Sequence, residues 1–82
     1  MVRINTTRTG QNIKRMRKDT GLTIRQMQEA LGFGTPQAIY RWMRGETLPS
    51  IDNLVILADM FHTTMDDIIA VDNGEGHGRN SA

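Results

Sequence analysis

The sequence contains no cysteine, so it forms no disulfide and offers no thiolate ligand to a metal ion. No apolar run approaches the roughly 18 residues that a membrane-spanning helix needs, and the first residues lack the apolar core of a secretion signal. Only two of the 82 residues are prolines, and a hydrophobic fraction of 38% is ordinary for a folded chain. These features predict one small, helical, cytoplasmic domain, because 82 residues are too few for two.

Basic and acidic residues are unevenly distributed along the chain, although the net charge is only +1. Residues 1 to 44 carry nine of the ten lysines and arginines against two acidic residues, a net charge of +7. Residues 45 to 82 carry one arginine against seven acidic residues, a net charge of −6. Such a dipole steers the N-terminal half of the protein toward a polyanion, which a uniformly near-neutral surface does not do.

The middle of the chain has the signals of two short helices separated by a turn. Thr23 is placed to cap a helix from Ile24 to Leu31, because its hydroxyl can accept a hydrogen bond from a backbone N–H of the first turn. The next residues, Gly32-Phe33-Gly34, are too few for anything but a turn. A second helix is predicted to follow, with Thr35 as its cap and Gly45 just past its end.

The second of these helices is predicted to have one polar and one apolar face. Pro36 suits its first position, where a missing N–H costs nothing. On a wheel of about 100° per residue, one side carries no acid and consists of Gln37, Tyr40, Arg41 and Arg44. The other side is apolar. Two short helices with a glycine-containing turn and an outward face of amide and guanidinium groups match the helix-turn-helix that reads the DNA major groove. A merely solvated helix surface is the alternative interpretation.

Two further segments flank this pair. Residues 1 to 8 are predicted to be an extended arm, followed by a first helix from Thr9 to Lys18 that stops at Gly21. Lys14 points outward on that helix, where a phosphate contact and a solvated face are alternatives. Beyond the pair, Ser50 is placed to cap a fourth helix.

The fourth helix is predicted to run from Ile51 to Phe61, and Thr63 or Thr64 to start a short fifth helix. Ile56 and Met60 lie on the far side of the fourth helix, where they form either a dimer patch or a cover for the fifth helix. Residues 71 to 82 are predicted to be a flexible tail, because from Asp72 no apolar side chain is large enough to pack. The helix-turn-helix domain is thus expected to span residues 9 to 70.

Several short motifs stand in a characteristic order across residues 9 to 70. They are Arg17 before Gly21-Leu22-Thr23, Leu31-Gly32 at the turn, Ile39, Arg44-Gly45, Pro49-Ser50, and Leu54, Leu57-Ala58, Phe61 and Asp67. Together they resemble the phage-repressor and Cro type of helix-turn-helix, also called the xenobiotic-response-element type. The resemblance implies an all-α, compact five-helix bundle of the lambda-repressor-like DNA-binding type, with its third helix in the major groove. Met43 departs from the family pattern, in which a glutamate at this position pairs with the arginine of the first helix.

The resemblance also implies which residues contact DNA. Base-edge contacts fall at Pro36, Gln37, Tyr40 and Arg41. Phosphate contacts fall at Thr23, Arg44 and the start of the second helix, and the predicted phosphate set comprises Thr23, Arg25, Thr35, Arg44 and Lys14. Since glutamine pairs bidentately with adenine and arginine with guanine, Gln37 and Arg41 are the expected readers of sequence.

The predicted function is that of a sequence-specific, double-stranded-DNA-binding transcriptional regulator. We expect a repressor that binds as a homodimer to a two-fold-symmetric operator and occludes a promoter. The rival interpretation is a helical protein-interaction module, either an adaptor or an antitoxin, that docks a partner on its apolar fourth helix. No catalytic set and no metal site emerges, so the sequence predicts no enzyme activity, no cofactor, no small-molecule ligand and no membrane partner.

Overall fold

The computed structural model describes residues 1 to 73, which form five helices and a small antiparallel sheet. In chain order the elements are β1 (Val2–Ile4), α1 (Thr6–Thr20), α2 (Ile24–Leu31), α3 (Gln37–Met43), α4 (Ile51–Met60), α5 (Met65–Ile68) and β2 (Val71–Asn73). The predicted five-helix bundle is confirmed, with the sheet as a minor addition. Among these described helices, none is long and apolar enough to cross a membrane. The predicted tail from residue 74 onward lies outside the described residues.

Side-chain caps set the start of four helices. The Thr23 hydroxyl accepts from the Gln26 backbone N–H at 3.0 Å, and the Gln26 side chain accepts in turn from the Thr23 N–H, which completes a capping box. Ser50 and Thr64 cap α4 and α5 as expected. Asn5 caps α1, so this helix begins three residues earlier than the predicted Thr9.

The start of α3 corrects the sequence prediction. Gln37 is the first helical residue, Pro36 precedes it with ψ 5°, and no side chain caps the helix. Thr35 therefore does not cap α3. Because the helix begins one residue later than predicted, Thr35 lies one residue before the cap position and its hydroxyl accepts from no backbone N–H of the first turn.

The end of α3 follows the prediction. Gly45 adopts the left-handed conformation with φ 79°. Its N–H donates to the Trp42 carbonyl at 3.0 Å, while the Glu46 N–H donates to the Arg41 carbonyl at 2.9 Å. This pair of hydrogen bonds is a Schellman closure, which satisfies carbonyls that the helix end leaves free.

The two ends of the described chain pair as strands, which corrects the prediction that residues 71 to 73 belong to a tail. β1 lies antiparallel to β2, with Ile4 opposite Val71 and Arg3 opposite Asp72. The Asp72 carboxylate also accepts from the Asn5 amide at 3.0 Å and from the Arg8 guanidinium at 3.2 Å. A strand of three residues is too short to show the alternation of polar and apolar residues that predicts a strand from sequence. It is identified as a strand only by its pairing with the other segment.

The core lies where the helices converge, and it holds α3 against α1. Ile13, Met27, Ile39, Leu57 and Ile68 are each 0% exposed. The helices α1 and α3 approach each other closely at Gly10, where an added Cβ would overlap the Trp42 carbonyl oxygen and lie 3.1 Å from the Met43 carbonyl oxygen. A glycine at this position lets the C-terminal end of α3 rest directly on the α1 backbone.

Candidate nucleic-acid interface

One side of α3 is a continuous polar surface. Gln37, Tyr40, Arg41 and Arg44 are all exposed and line the same shallow cavity, and we call these four residues the reading face. On the opposite side of the helix, Ile39 is 0% and Trp42 is 4% exposed. The helical wheel predicted this division, which leaves one amide, one phenol and two guanidinium groups at the surface. These are group types that can contact base edges in the major groove.

Packing from below holds the reading face in place. A helix of seven residues is unstable alone, so α3 depends on its contacts with the rest of the domain. The Trp42 ring meets the Phe33 ring edge to face, with centroids 5.7 Å apart. Together with the buried Ile39 and the close approach of Gly10, this contact orients the four outward side chains.

The structure places an acid at the edge of this face, which the helical wheel did not include. Arg44 Nε donates to Glu46 Oε2 at 2.7 Å, and its Nη2 donates to Glu46 Oε1 at 3.4 Å. The side-chain hydrogen bond to Glu46 raises the pKa of Arg44, and the same bond lowers the pKa of Glu46. The one sequence signal for this contact was Gly45, which lies between the two residues. Its left-handed turn brings the residues on either side of it together.

Among the predicted phosphate contacts, Arg44 lines the shallow cavity, whereas the other four lie on α1, on α2 and its cap, and in the turn before α3. Thr23 uses its hydroxyl oxygen in the α2 cap, while its O–H proton stays free to donate. Arg25 is exposed and lies 3.5 Å from the Glu29 carboxylate. Thr35 and Lys14 are exposed, the latter on α1. Pro36, a predicted base contact, is partly buried beside the reading face and does not line the cavity.

Arg17 on α1 has a structural position rather than an outward one. Its Nη1 donates to the Leu22 carbonyl oxygen at 2.9 Å, which ties the end of α1 to the segment before α2. Its Nε is buried and has no hydrogen-bond partner within the described residues. This agrees with Met43 standing where the family pattern has a glutamate, because methionine provides no carboxylate for that nitrogen.

The apolar side chains of α4 differ in how exposed they are. Ile56 and Met60, the predicted dimer candidates, are partly buried against the core. Ile51 and Val55 are 67% and 53% exposed. The larger exposed apolar area of α4 is therefore at its N-terminal half.

Known proteins resemble this chain in sequence and in fold. A helix-turn-helix family model, HTH_3, matches residues 13–68. The fold is similar to that of the restriction-modification controller protein C.AhdI from Aeromonas hydrophila, with a TM-score of 0.67 and 19% identity over 77% of this chain and 94% of that chain. It is also similar to the DNA-binding domain of BldD, with a TM-score of 0.66 and 18% identity over 80% of this chain and 94% of that chain. No curated protein matches the sequence significantly.

Proposed function

Since the chain belongs to the helix-turn-helix family HTH_3, a family of DNA-binding transcription regulators without enzyme activity, we propose that it represses transcription by inserting α3 into the major groove of double-stranded DNA. The observation that supports this most is the reading face, whose four side chains are exposed on one side of a helix held firmly from below. Because an α-helix fits the major groove, this face meets base edges directly.

The proposed contacts divide into base readout and positioning. Gln37 pairs bidentately with adenine and Arg41 with guanine, while Tyr40 contacts a thymine methyl group or a phosphate. Pro36 packs against a base edge at the start of α3. The positioning contacts are hydrogen bonds and ion pairs to phosphates from Thr23, Arg25, Thr35, Arg44 and Lys14.

The charge distribution supports the same orientation. The proposed DNA contacts all come from residues 1 to 44, which have a net charge of +7, whereas residues 45 to 82 have a net charge of −6. Such an arrangement steers encounter and discourages docking by the wrong side. With DNA as the partner, we place the protein in the cytoplasm.

A second copy of the chain completes the proposed complex on a two-fold-symmetric operator. The contact surface that fits is apolar and separate from the reading face. Ile4, Leu48 and Ile51 line one apolar cavity with Leu54 and Ile69, and Val55 follows Ile51 one helical turn later. We assign pairing to this surface, which is more exposed than the patch of Ile56 and Met60.

Two observations favour a second copy as the occupant of this surface. Residues 74 to 82 contain no large apolar side chain, so they cannot fill the cavity themselves. The cavity lining has no charged residue, so two identical surfaces meet without repulsion. On a two-fold-symmetric operator the two reading faces lie one helical turn apart, at about 34 Å.

The pairing is tested by Ile51→Asp, which suits the first turn of a helix and so preserves the fold. We expect sedimentation equilibrium to give a dimer for the wild type and a monomer for this variant, whereas Thr47→Asp, a matched change at an exposed polar residue, stays dimeric. Dimers that persist in Ile51→Asp contradict the assigned surface.

The rival function is a protein-interaction module in which the same apolar surface docks an unrelated partner, as an adaptor or antitoxin does. Selection of bound duplexes from a random pool, followed by titration at several salt concentrations, separates the two. Readout of sequence gives a preferred site with a specific-to-random ratio above about 10³ and a steep fall of affinity with salt. No enriched site and a flat salt dependence would favour the interaction module.

A further inference from the structure

We propose that Glu46 is a specificity-determining residue, which restrains Arg44 until α3 is seated in its preferred site. The inference rests on the proposed function. Its starting point is the fork between the two side chains, in which both carboxylate oxygens accept from the guanidinium, at 2.7 and 3.4 Å. In this state two of the five guanidinium N–H donors of Arg44 are bound to an internal anion, so a phosphate must compete with the carboxylate for the bidentate contact.

The acid has a fixed backbone position. The Glu46 N–H donates to the Arg41 carbonyl at 2.9 Å, as part of the Schellman closure of α3. A Cβ on Gly45 would lie 2.8 Å from Thr7 Cα, so the turn that carries Glu46 is closely packed against α1. The backbone of Glu46 is therefore held at the end of the reading face, whichever way the arginine turns.

Glu46 influences both arginines of the reading face. The hydrogen bond from Arg44 lowers its pKa most, desolvation opposes this to a lesser extent, and the positive charges of Arg44 and then Arg41 lower the pKa further. The carboxylate therefore stays ionised at neutral pH and offsets part of the positive charge that the face presents to DNA. Random phosphates meet a weaker attraction than the two guanidinium groups alone would provide.

The ion pair between Arg44 and Glu46 is weak enough for a phosphate to replace the carboxylate. The Arg44 and Glu46 side chains are 58% and 50% exposed, and ion pairs in such surroundings are weak. When α3 enters its preferred site, a phosphate held in register replaces the carboxylate as the partner of Arg44, since both are bidentate anions. On random DNA α3 is not seated, so the pair stays closed and Arg44 adds little to affinity.

The test compares Glu46→Gln with Asp59→Asn, a matched removal of one negative charge from an exposed residue on α4, outside the reading face. Affinity is measured for the selected duplex and for random duplex across a range of salt concentrations. For Glu46→Gln we expect random-duplex affinity to rise about 3- to 10-fold, with a salt slope steeper by about 0.9, the value for one further phosphate contact. Affinity for the selected site rises less, so the specific-to-random ratio falls, whereas Asp59→Asn leaves this ratio unchanged.

An unchanged ratio in Glu46→Gln, or a loss of affinity for the selected site, overturns the inference. A lost site affinity would mean that Glu46 orients Arg44 rather than restrains it. Both results leave the proposed function standing, provided that the wild type prefers its site. If the wild type has no site preference and no salt dependence, the proposed function and this inference fall together.

Discussion

The substitution Gly10→Ala should destabilise the protein, although replacing glycine by alanine inside a helix usually has the opposite effect. In the interior of a helix, replacing glycine by alanine ordinarily stabilises a protein by about 0.5 to 1 kcal/mol, because glycine loses more backbone freedom on folding. At Gly10 the new methyl group would overlap the Trp42 carbonyl oxygen and crowd the Met43 carbonyl and the Gly45 N–H, both at 3.1 Å. These are backbone atoms, so no side-chain rotation relieves the overlap.

The overpacking therefore outweighs the gain in propensity. Forcing a methyl group into a filled site costs typically about 1 to 3 kcal/mol, and a backbone obstacle favours the upper part of that range. We expect Gly10→Ala to lower the free energy of unfolding by about 2 kcal/mol, after the gain of up to about 1 kcal/mol from helix propensity. Separation of α1 from α3 also tilts the reading face, so DNA affinity should fall together with stability.

Urea denaturation followed by circular dichroism measures this change, with the midpoint and the slope fitted together. Gly34→Ala is the matched control, because no heavy atom lies within 4 Å of its added Cβ and its φ is outside the left-handed region. That variant should be neutral or more stable by up to about 1 kcal/mol. If Gly10→Ala and Gly34→Ala have the same free energy of unfolding, α1 does not pack on α3 as closely as described.

Further predictions concern the caps, the core and pH. Thr23→Ala removes the capping box and should lower unfolding free energy by about 1 kcal/mol, and an unchanged urea midpoint would contradict this. Ile39→Ala empties a fully buried position beneath the reading face and should cost about 2 to 5 kcal/mol by the same assay, unlike an exposed-site alanine. The pKa of Glu46 is lowered and that of Arg44 is raised, so their ion pair is intact at neutral pH. The pair is lost as the pH falls through the pKa of Glu46. The effect of Glu46→Gln on DNA affinity should thus be equal at about pH 6 and pH 8, and a difference would implicate another group.

The parts of the fold that local chemistry determines were predictable from the sequence. Thr23 and Ser50 start helices because a hydroxyl reaches an N–H three residues onward, and Gly21 and Gly45 end helices by left-handed turns. The reading face follows from the 3.6-residue period of α3. Each of these signals lies within a few residues of the feature it creates.

The parts that depend on distant partners were not predictable. The pairing of β1 with β2 joins residues about 70 positions apart in strands of three residues, which have no pattern of their own. Gly10 gave no signal within its helix, because its reason is the α3 backbone. The helical wheel did not include Glu46, because this residue lies beyond the end of the helix. The turn at Gly45 folds it back onto Arg44.

Affinity of Arg41→Ala for the selected duplex and for random duplex, at one salt concentration, tests the central claim most directly. If the reading face meets base edges, this variant loses about 1 to 3 kcal/mol on the selected site, relaxes the preference at one base pair and changes little on random DNA. Lys14→Ala, a phosphate contact, should weaken both duplexes alike. Equal losses on both duplexes for Arg41→Ala would contradict base readout by α3.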